Sequence, residues 1–197
     1  MSYNPRDHYF KKAKEQNFAA RSVFKLEEID EKFKIVKPGN IVLDLGAAPG
    51  SWSQYCSKKI GSSGRVLGVD LTAITVKLPN ATFIQADLRD LNLEQVFVEH
   101  GFVPPFDLVI SDMAPKTIGI RMTDQARSVE LVELALEKAR AFLKPGGHFV
   151  AKLFHCDEFN KLRDEIKKDF ERFDAVKPDS TRKISKEIFL VGLKKKK

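Results

Sequence analysis

The sequence predicts an α/β fold: a doubly wound, mostly parallel sheet closed by an antiparallel C-terminal edge. Three observations carry this. Short apolar runs alternate with amphipathic segments from residue 41 to about 172, the pattern left by strand, crossover helix and strand. The first run, Ile41 to Leu45, is apolar on both faces apart from Asp44, as a central strand covered by helices on both sides must be. It leads into Gly46-Ala-Ala-Pro-Gly50, a glycine turn that lets the backbone approach a ligand at the carboxyl end of the strand. With 197 residues, one domain with a sizeable core is expected, spanning 1–197 with a basic arm over 1–20 and a lysine tail over 194–197.

The elements follow from local signals. Residues 3–18 mix aromatics with bases and show no sustained period, so they read as an arm, suited either to gripping RNA or to packing onto the domain. From Ser22, Val23, Leu26, Ile29 and Phe33 recur at helical steps until Pro38-Gly39. After the glycine turn a helix is predicted over Trp52–Ile60, with Ser51 as N-cap and Gly61 as its end. Strands follow over Arg65–Asp70 and Thr82–Ala86, then a helix around Leu93–His100 and a fourth strand from Phe106 to Asp112. Ser128–Leu143 is the clearest helix, stopped by Pro145-Gly146-Gly147. His148–Leu153 is a fifth strand carrying Lys152, and Glu158–Phe170 a further helix. Two last strands, near Phe173–Val176 and Glu187–Gly192, are expected to pair as neighbours.

Charge is unevenly spread. Residues 1–40 carry +3, residues 41–137 carry −4 and residues 138–197 carry +8, for a net +7. This suits a polyanion touching both ends of the chain while a cationic or nucleoside-bearing ligand sits in the middle. The tail Lys194–Lys197 reads equally well as a frayed, solvated run. Cys56 and Cys156 stand a hundred residues apart without CxxC or Cys/His spacing, so neither a disulfide framework nor a metal site is expected. No apolar run approaches the roughly 18 residues of a membrane span, and the expected setting is the cytoplasm, as a monomer.

The turn also narrows the cofactor. It offers Gly46-x-x-x-Gly50 where dinucleotide sites need G-x-G-x-x-G, and the chain has no G-x-x-x-x-G-K-[ST]. Asp70, Asp87 and Asp112 each stand at a predicted strand end, Asp70 twenty residues beyond Gly50. Carboxylates repel phosphate but accept hydrogen bonds from ribose hydroxyls, an exocyclic amine and an ammonium group. S-adenosyl-L-methionine has all three and no phosphate. Aspartates at strand ends are otherwise ordinary turn residues.

Several stretches together resemble the FtsJ/RrmJ ribosomal RNA ribose 2′-O-methyltransferases. They are Asp44-Leu-Gly-Ala-Ala-Pro-Gly-Ser-Trp-Ser-Gln-Tyr, Ser111-Asp-Met-Ala-Pro, Leu131-Val-Glu-Leu-Ala-Leu, Pro145-Gly-Gly, Phe154, Lys177-Pro-Asp-Ser-Thr-Arg and Ser185-Lys-Glu-Ile-Phe-Leu-Val. The likeness runs from about Arg21 to Val191. It implies a Rossmann-like S-adenosylmethionine-dependent methyltransferase fold and a catalytic set of Lys25, Asp112, Lys152 and Glu187. It also implies cofactor contacts at Gly50, Trp52, Asp70, Asp87 and Asp112, and no metal. The implied substrate is a uridine of large-subunit ribosomal RNA, within the ribosomal subunit or its precursor. A transfer RNA or mRNA cap, or a non-catalytic role in ribosome assembly, are the alternatives. Ser51 stands where many members have a second glycine, and the loop Lys116–Asp124 departs from the commoner Asn-Met-Ser-Gly type. In this reading Lys152 takes the proton of the attacking hydroxyl, Lys25 is its neighbouring cation, and Asp112 and Glu187 orient the two amines.

Overall fold

The computed structural model describes residues 8–182 and 184–197. Among them seven strands form one sheet, β1 (Ile41–Leu45), β2 (Arg65–Asp70), β3 (Ala81–Gln85), β4 (Phe106–Ser111), β5 (Leu143–Phe154), β6 (Phe170–Val176) and β7 (Glu187–Lys195), in the order 3-2-1-4-5-7-6. The first four pairings are parallel and the two involving β7 antiparallel. This is the doubly wound sheet with an antiparallel edge that the sequence predicts. Helices α1 (His8–Glu15), α2 (Val23–Phe33) and α3 (Ser51–Ile60) supply one core layer, in which Leu26, Ile29, Tyr55 and Ile60 meet Val42, Ile110, Val150 and Phe189 of the sheet. The other face carries α4 (Leu93–His100), α5 (Arg121–Phe142) and α6 (Phe159–Asp169), whose Phe97, Val132, Leu136 and Ile166 close over Leu43, Val109 and Phe149. Alternate residues of β1 and β4 serve opposite layers, which is why those strands read as nearly unbroken apolar runs.

Several boundaries differ from the sequence expectation, each for a physical reason. Within the arm 1–20, residues 1–7 lie outside the described residues, and 8–15 form α1 instead of an aperiodic segment. Ala13 is buried, and Tyr9 and Phe18 lie 5.5 and 6.4 Å from the Phe24 ring, so these aromatics pack the arm onto α2. Ser51 is the first residue of α3, not its N-cap; Gly50 takes that place, and Ser51 Oγ lies 2.9 Å from Ser22 Oγ. Helix α5 begins seven residues before Ser128, where polar ties replace an apolar face. Strand β5 begins directly at Leu143 because Lys144–Gly147 form an irregularity between the Phe106–Leu143 and Leu108–His148 pairs, a position that tolerates Pro145.

The lysine tail is built into the fold. Lys195 Nζ donates to the carbonyls of Ala139, Arg140 and Leu143 at the end of α5, and Lys196 Nζ to those of Lys167 and Lys168 at the end of α6. Both satisfy carbonyls that a helix end leaves without partners, where a cation also meets the negative end of the dipole. Both cysteines are free and buried, and burial pushes their thiols up, Cys156 to about 11. No described helix is long and apolar enough to cross a membrane.

Candidate active site

Two cavities lie near the carboxyl ends of the parallel strands. The first, of about 450 Å³, is lined by Gly46 and Ala48 of the glycine turn, Asp70 at the end of β2, Asp87 and Arg89 beyond β3, and Asp112–Lys116 beyond β4. Its floor depends on Gly46. The backbone there has φ at +76°, and a Cβ would collide with Met113 Cγ and stand 3.0 Å from Met113 N, so no side chain fits. Gly50 stands at φ +105° at the start of α3, covered by Ile74 and Val76 instead of lining the cavity.

The three strand-end aspartates are differently engaged. Asp70 accepts the amides of Ala48 at 2.9 Å and Thr72 at 2.7 Å, so it braces the glycine turn as well as facing the cavity. Asp87 is forked by Arg89, whose Nε and Nη2 lie 3.0 and 2.8 Å from its oxygens, and that hydrogen bonding holds its carboxyl below the usual range. Arg89 carries no motif in the sequence and is visible there only as a cation two residues from a strand-end carboxylate. Asp112 reaches the second site. Trp52 lies elsewhere: it is buried, its Nε1 donates to the Ser22 carbonyl at 2.9 Å, and its ring packs 5.7 Å from Phe189. Its side chain braces α2 against the sheet and does not line the cavity, leaving only its backbone as a possible contact.

Sequence reasoning passes over Asp44. It is fully buried beneath the turn, receives the Ser53 hydroxyl on Oδ2 at 2.6 Å and leaves Oδ1 without a partner among the described residues. Burial, with Asp112 and Asp70 nearby, pushes its carboxyl up to about 7. The signal for it in the sequence is that it is the one polar residue in an apolar central strand.

The second cavity, of about 740 Å³, is bordered by Arg21, Ser22 and Lys25 from the start of α2, Thr117, and Arg182, Ser185 and Glu187 leading into β7. Lys152 and Glu187 share the sheet face that α2 covers, because Lys152 pairs with Phe189 and Phe154 with Glu187. Two lysine–carboxylate pairs result. Lys152, 7% exposed, places Nζ 3.0 Å from Asp112 Oδ1. That contact is an ion pair without hydrogen-bond alignment, since Nζ donates instead to the Asp112 carbonyl at 2.6 Å. Lys25 Nζ lies 2.5 Å from Glu187 and 5.8 Å from the centre of the Phe189 ring. Glu28 of α2 draws the preceding loop in by accepting the amides of Asp179 and Ser180, while Arg21 donates to the Ser180 carbonyl. The Lys177–Arg182 motif thus owes its place to α2.

The carboxylates of Asp70, Asp87 and Asp112 along the first cavity fit S-adenosylmethionine by their acceptor chemistry. Among the described residues no group of His, Cys, Asp or Glu gathers into a metal-ligating cluster.

Comparisons with known proteins bear on the fold and the family. A crystal structure of a ribosomal RNA methyltransferase from Plasmodium falciparum superposes with a TM-score of 0.78 at 26% identity, covering 90% of this chain and 98% of that one. Fibrillarin from Aeropyrum pernix, solved with bound S-adenosyl-L-methionine, shares the fold at a TM-score of 0.59 and 19% identity, over 81% of this chain and 68% of that one. The ribosomal RNA large subunit methyltransferase E of Bdellovibrio bacteriovorus is 78% identical over the full length of both chains, and that of Syntrophobacter fumaroxidans 53% identical, again over both full lengths. The family described as FtsJ-like methyltransferase matches residues 18–195, so with its sheet, its glycine turn and its paired lysines and carboxylates the chain belongs to the FtsJ-like methyltransferase family.

Proposed function

We propose that this protein transfers a methyl group from S-adenosylmethionine to a ribose 2′-hydroxyl of RNA, a uridine of large-subunit ribosomal RNA, acting in the cytoplasm on the ribosomal subunit or its precursor. The observation that carries the reading is the Lys152–Asp112 pair, whose carboxylate lines the first cavity and whose lysine lies on the same sheet face as Glu187 at the edge of the second. The relatives' names point to large-subunit ribosomal RNA, and the uridine and its ribose 2′-hydroxyl follow from the family resemblance of the sequence motifs.

The bound cofactor supplies an electrophilic methyl group on a sulfonium. Asp70, Asp87 and Asp112 offer acceptors to its hydroxyls and amines, and the Gly46 turn gives it room. Lys152 Nζ takes the proton of the attacking hydroxyl, while Asp112 keeps the amine in place through its carboxylate and its carbonyl. Lys25, held by Glu187, contributes positive charge next to the hydroxyl as it becomes an oxyanion. Alignment of the reacting atoms carries much of the remaining acceleration.

The test is tritium transfer from S-adenosylmethionine into large ribosomal subunits taken from cells lacking the protein. Lys152→Ala is expected to lower turnover by roughly 10²–10⁴, the usual range for a general base, while cofactor and RNA binding persist. Near-full turnover by that variant, with RNA still bound, sinks the base role. Loss of one ribose methylation in cells without the protein identifies the nucleotide.

A further inference from the structure

The segment after β4 is a wall shared by both cavities. Met113, Ala114, Pro115 and Lys116 line the cofactor side, and Thr117 lines the side edged by Lys25 and Glu187. Its near end is fixed, because Met113 sits against Gly46 and the Asp112 carbonyl accepts from Lys152. Its far end has little apolar anchorage, since Ile118, Ile120 and Met122 are 52%, 59% and 81% exposed. Polar ties hold it instead.

The main tie is Asp124, in the first turn of α5 and 8% exposed. Its Oδ1 accepts the Ile118 amide at 3.0 Å and its Oδ2 the Gly119 amide at 3.2 Å. Ile120, at the N-cap position, has no side chain able to cap the helix, so Asp124 gives both oxygens to the strand-to-helix strap. The same stretch of α5 is itself fastened to the catalytic strand: Ser128 Oγ accepts the Phe154 amide at 2.9 Å, and Gln125 donates to the His155 carbonyl at 2.6 Å. Asp124 therefore links the strap to the end of β5, two residues from Lys152.

We propose that Asp124 is a positioning residue for methyl transfer, holding the strap from Lys116 to Ile120 as a fixed wall that sets how the cofactor and the ribose hydroxyl face one another across Lys152. The proposal rests on the methyltransferase reading above. It differs from a purely structural role in what it costs: misplacement by about 1 Å slows a reaction by as much as ~10² without unfolding the protein.

Three measurements on Asp124→Ala test it: amide hydrogen exchange, cofactor affinity without RNA, and tritium transfer to large ribosomal subunits. Exchange at Ile118 and Gly119 should quicken at least about tenfold, because both amides lose their acceptor. Turnover should fall about tenfold or more and KM for the subunit should rise, while cofactor affinity stays within about threefold because the near end remains tied at Gly46. Asp124→Asn, which keeps one acceptor oxygen, should protect one amide and recover part of the turnover, and it carries the test if the alanine variant does not fold. The proposal is overturned if both amides exchange faster while turnover holds within about twofold, or if exchange at both is unchanged. If the wild type itself transfers no methyl group to the subunits, the enzymatic reading falls and takes this role with it.

Discussion

At the scale of single residues, two titrating groups, Asp44 buried and His148 half-buried, give the protein opposing pH dependences. Asp44 is raised to about 7 in the folded chain, mainly by burial, against 3.8 when unfolded. Its folded form therefore holds the extra proton, and stability present below about pH 4 is lost as the pH climbs toward 7, on the order of 4 kcal/mol for a wholly buried group. His148 runs the other way. Burial, then Lys37, Lys194 and Lys144, lower it to about 4, and its Nδ1 must stay unprotonated to accept the Lys194 amide at 3.2 Å. Its contribution is full above about 6.5 and is lost as the pH falls toward 4, on the order of 1–2 kcal/mol after discounting for its partial exposure. Denaturant midpoints of wild type, Asp44→Asn and His148→Gln between pH 4 and 8 separate the two. Relative to D44N the wild type should weaken as pH rises, and relative to H148Q it should weaken as pH falls; parallel curves would remove both assignments. Neither residue announces this in the sequence, because burial on both sides of a strand is a property of neighbours far along the chain. Asp112 is singled out by its strand-end place, but Lys25, Lys152 and Glu187 gain a role only through the family resemblance, since a strand-end lysine by itself reads as a solvated cap.

At the scale of elements, the periodic helices and apolar strands are legible in the sequence and the polar joints are not. Helix α4 matches its expected range, and β6 and β7 pair as expected. The start of α5, the helical arm and the lysine tail escape a reading by periodicity because each depends on contacts outside its own element: Asp124 on the strap, Tyr9 and Phe18 on Phe24, Lys195 on α5. Asp30 is the same kind of joint. Almost wholly buried, it accepts the Val36 amide and the Tyr55 hydroxyl, both at 2.8 Å, and so fastens the end of α2 to β1 and α3. Asp30→Ala strands two buried donors and is expected to cost about 2–3 kcal/mol, a fall in Tm of roughly 5–10 °C. Lys195→Met should cost about 1 kcal/mol, since it frees three carbonyls at a partly solvated helix end. Thermal melts that rank the two in the opposite order would mean that the α5 cap, and not the α2 joint, governs the packing.

Across the whole molecule, the charge pattern and the topology describe one arrangement. The first cavity is drawn from residues 46–134, inside the acidic middle of the chain, whereas the second takes Arg21 and Lys25 from the basic start and Arg182 and Glu187 from the basic end. Strand β7 makes this possible by entering the sheet between β5 and β6, which brings the end of the chain beside Lys152 and under α2. The two ends thus supply a positive rim around an acidic pocket, and a polyanion seated on that rim displaces counterions while the pocket binds its ligand nearly independently of salt. Arg21→Ala and Arg182→Ala are each expected to weaken RNA binding and to lower the slope of log affinity against log salt by about 0.7–0.9, the amount associated with one phosphate contact. Cofactor affinity should stay unchanged in both. Fluorescence titrations of labelled ribosomal RNA fragments at several salt concentrations, beside calorimetry with S-adenosylmethionine, check this directly. An unchanged salt slope in both variants would move the RNA off this rim, and a matching loss of cofactor affinity would show the arginines to be supporting the fold through the loop at Ser180 instead of meeting phosphate.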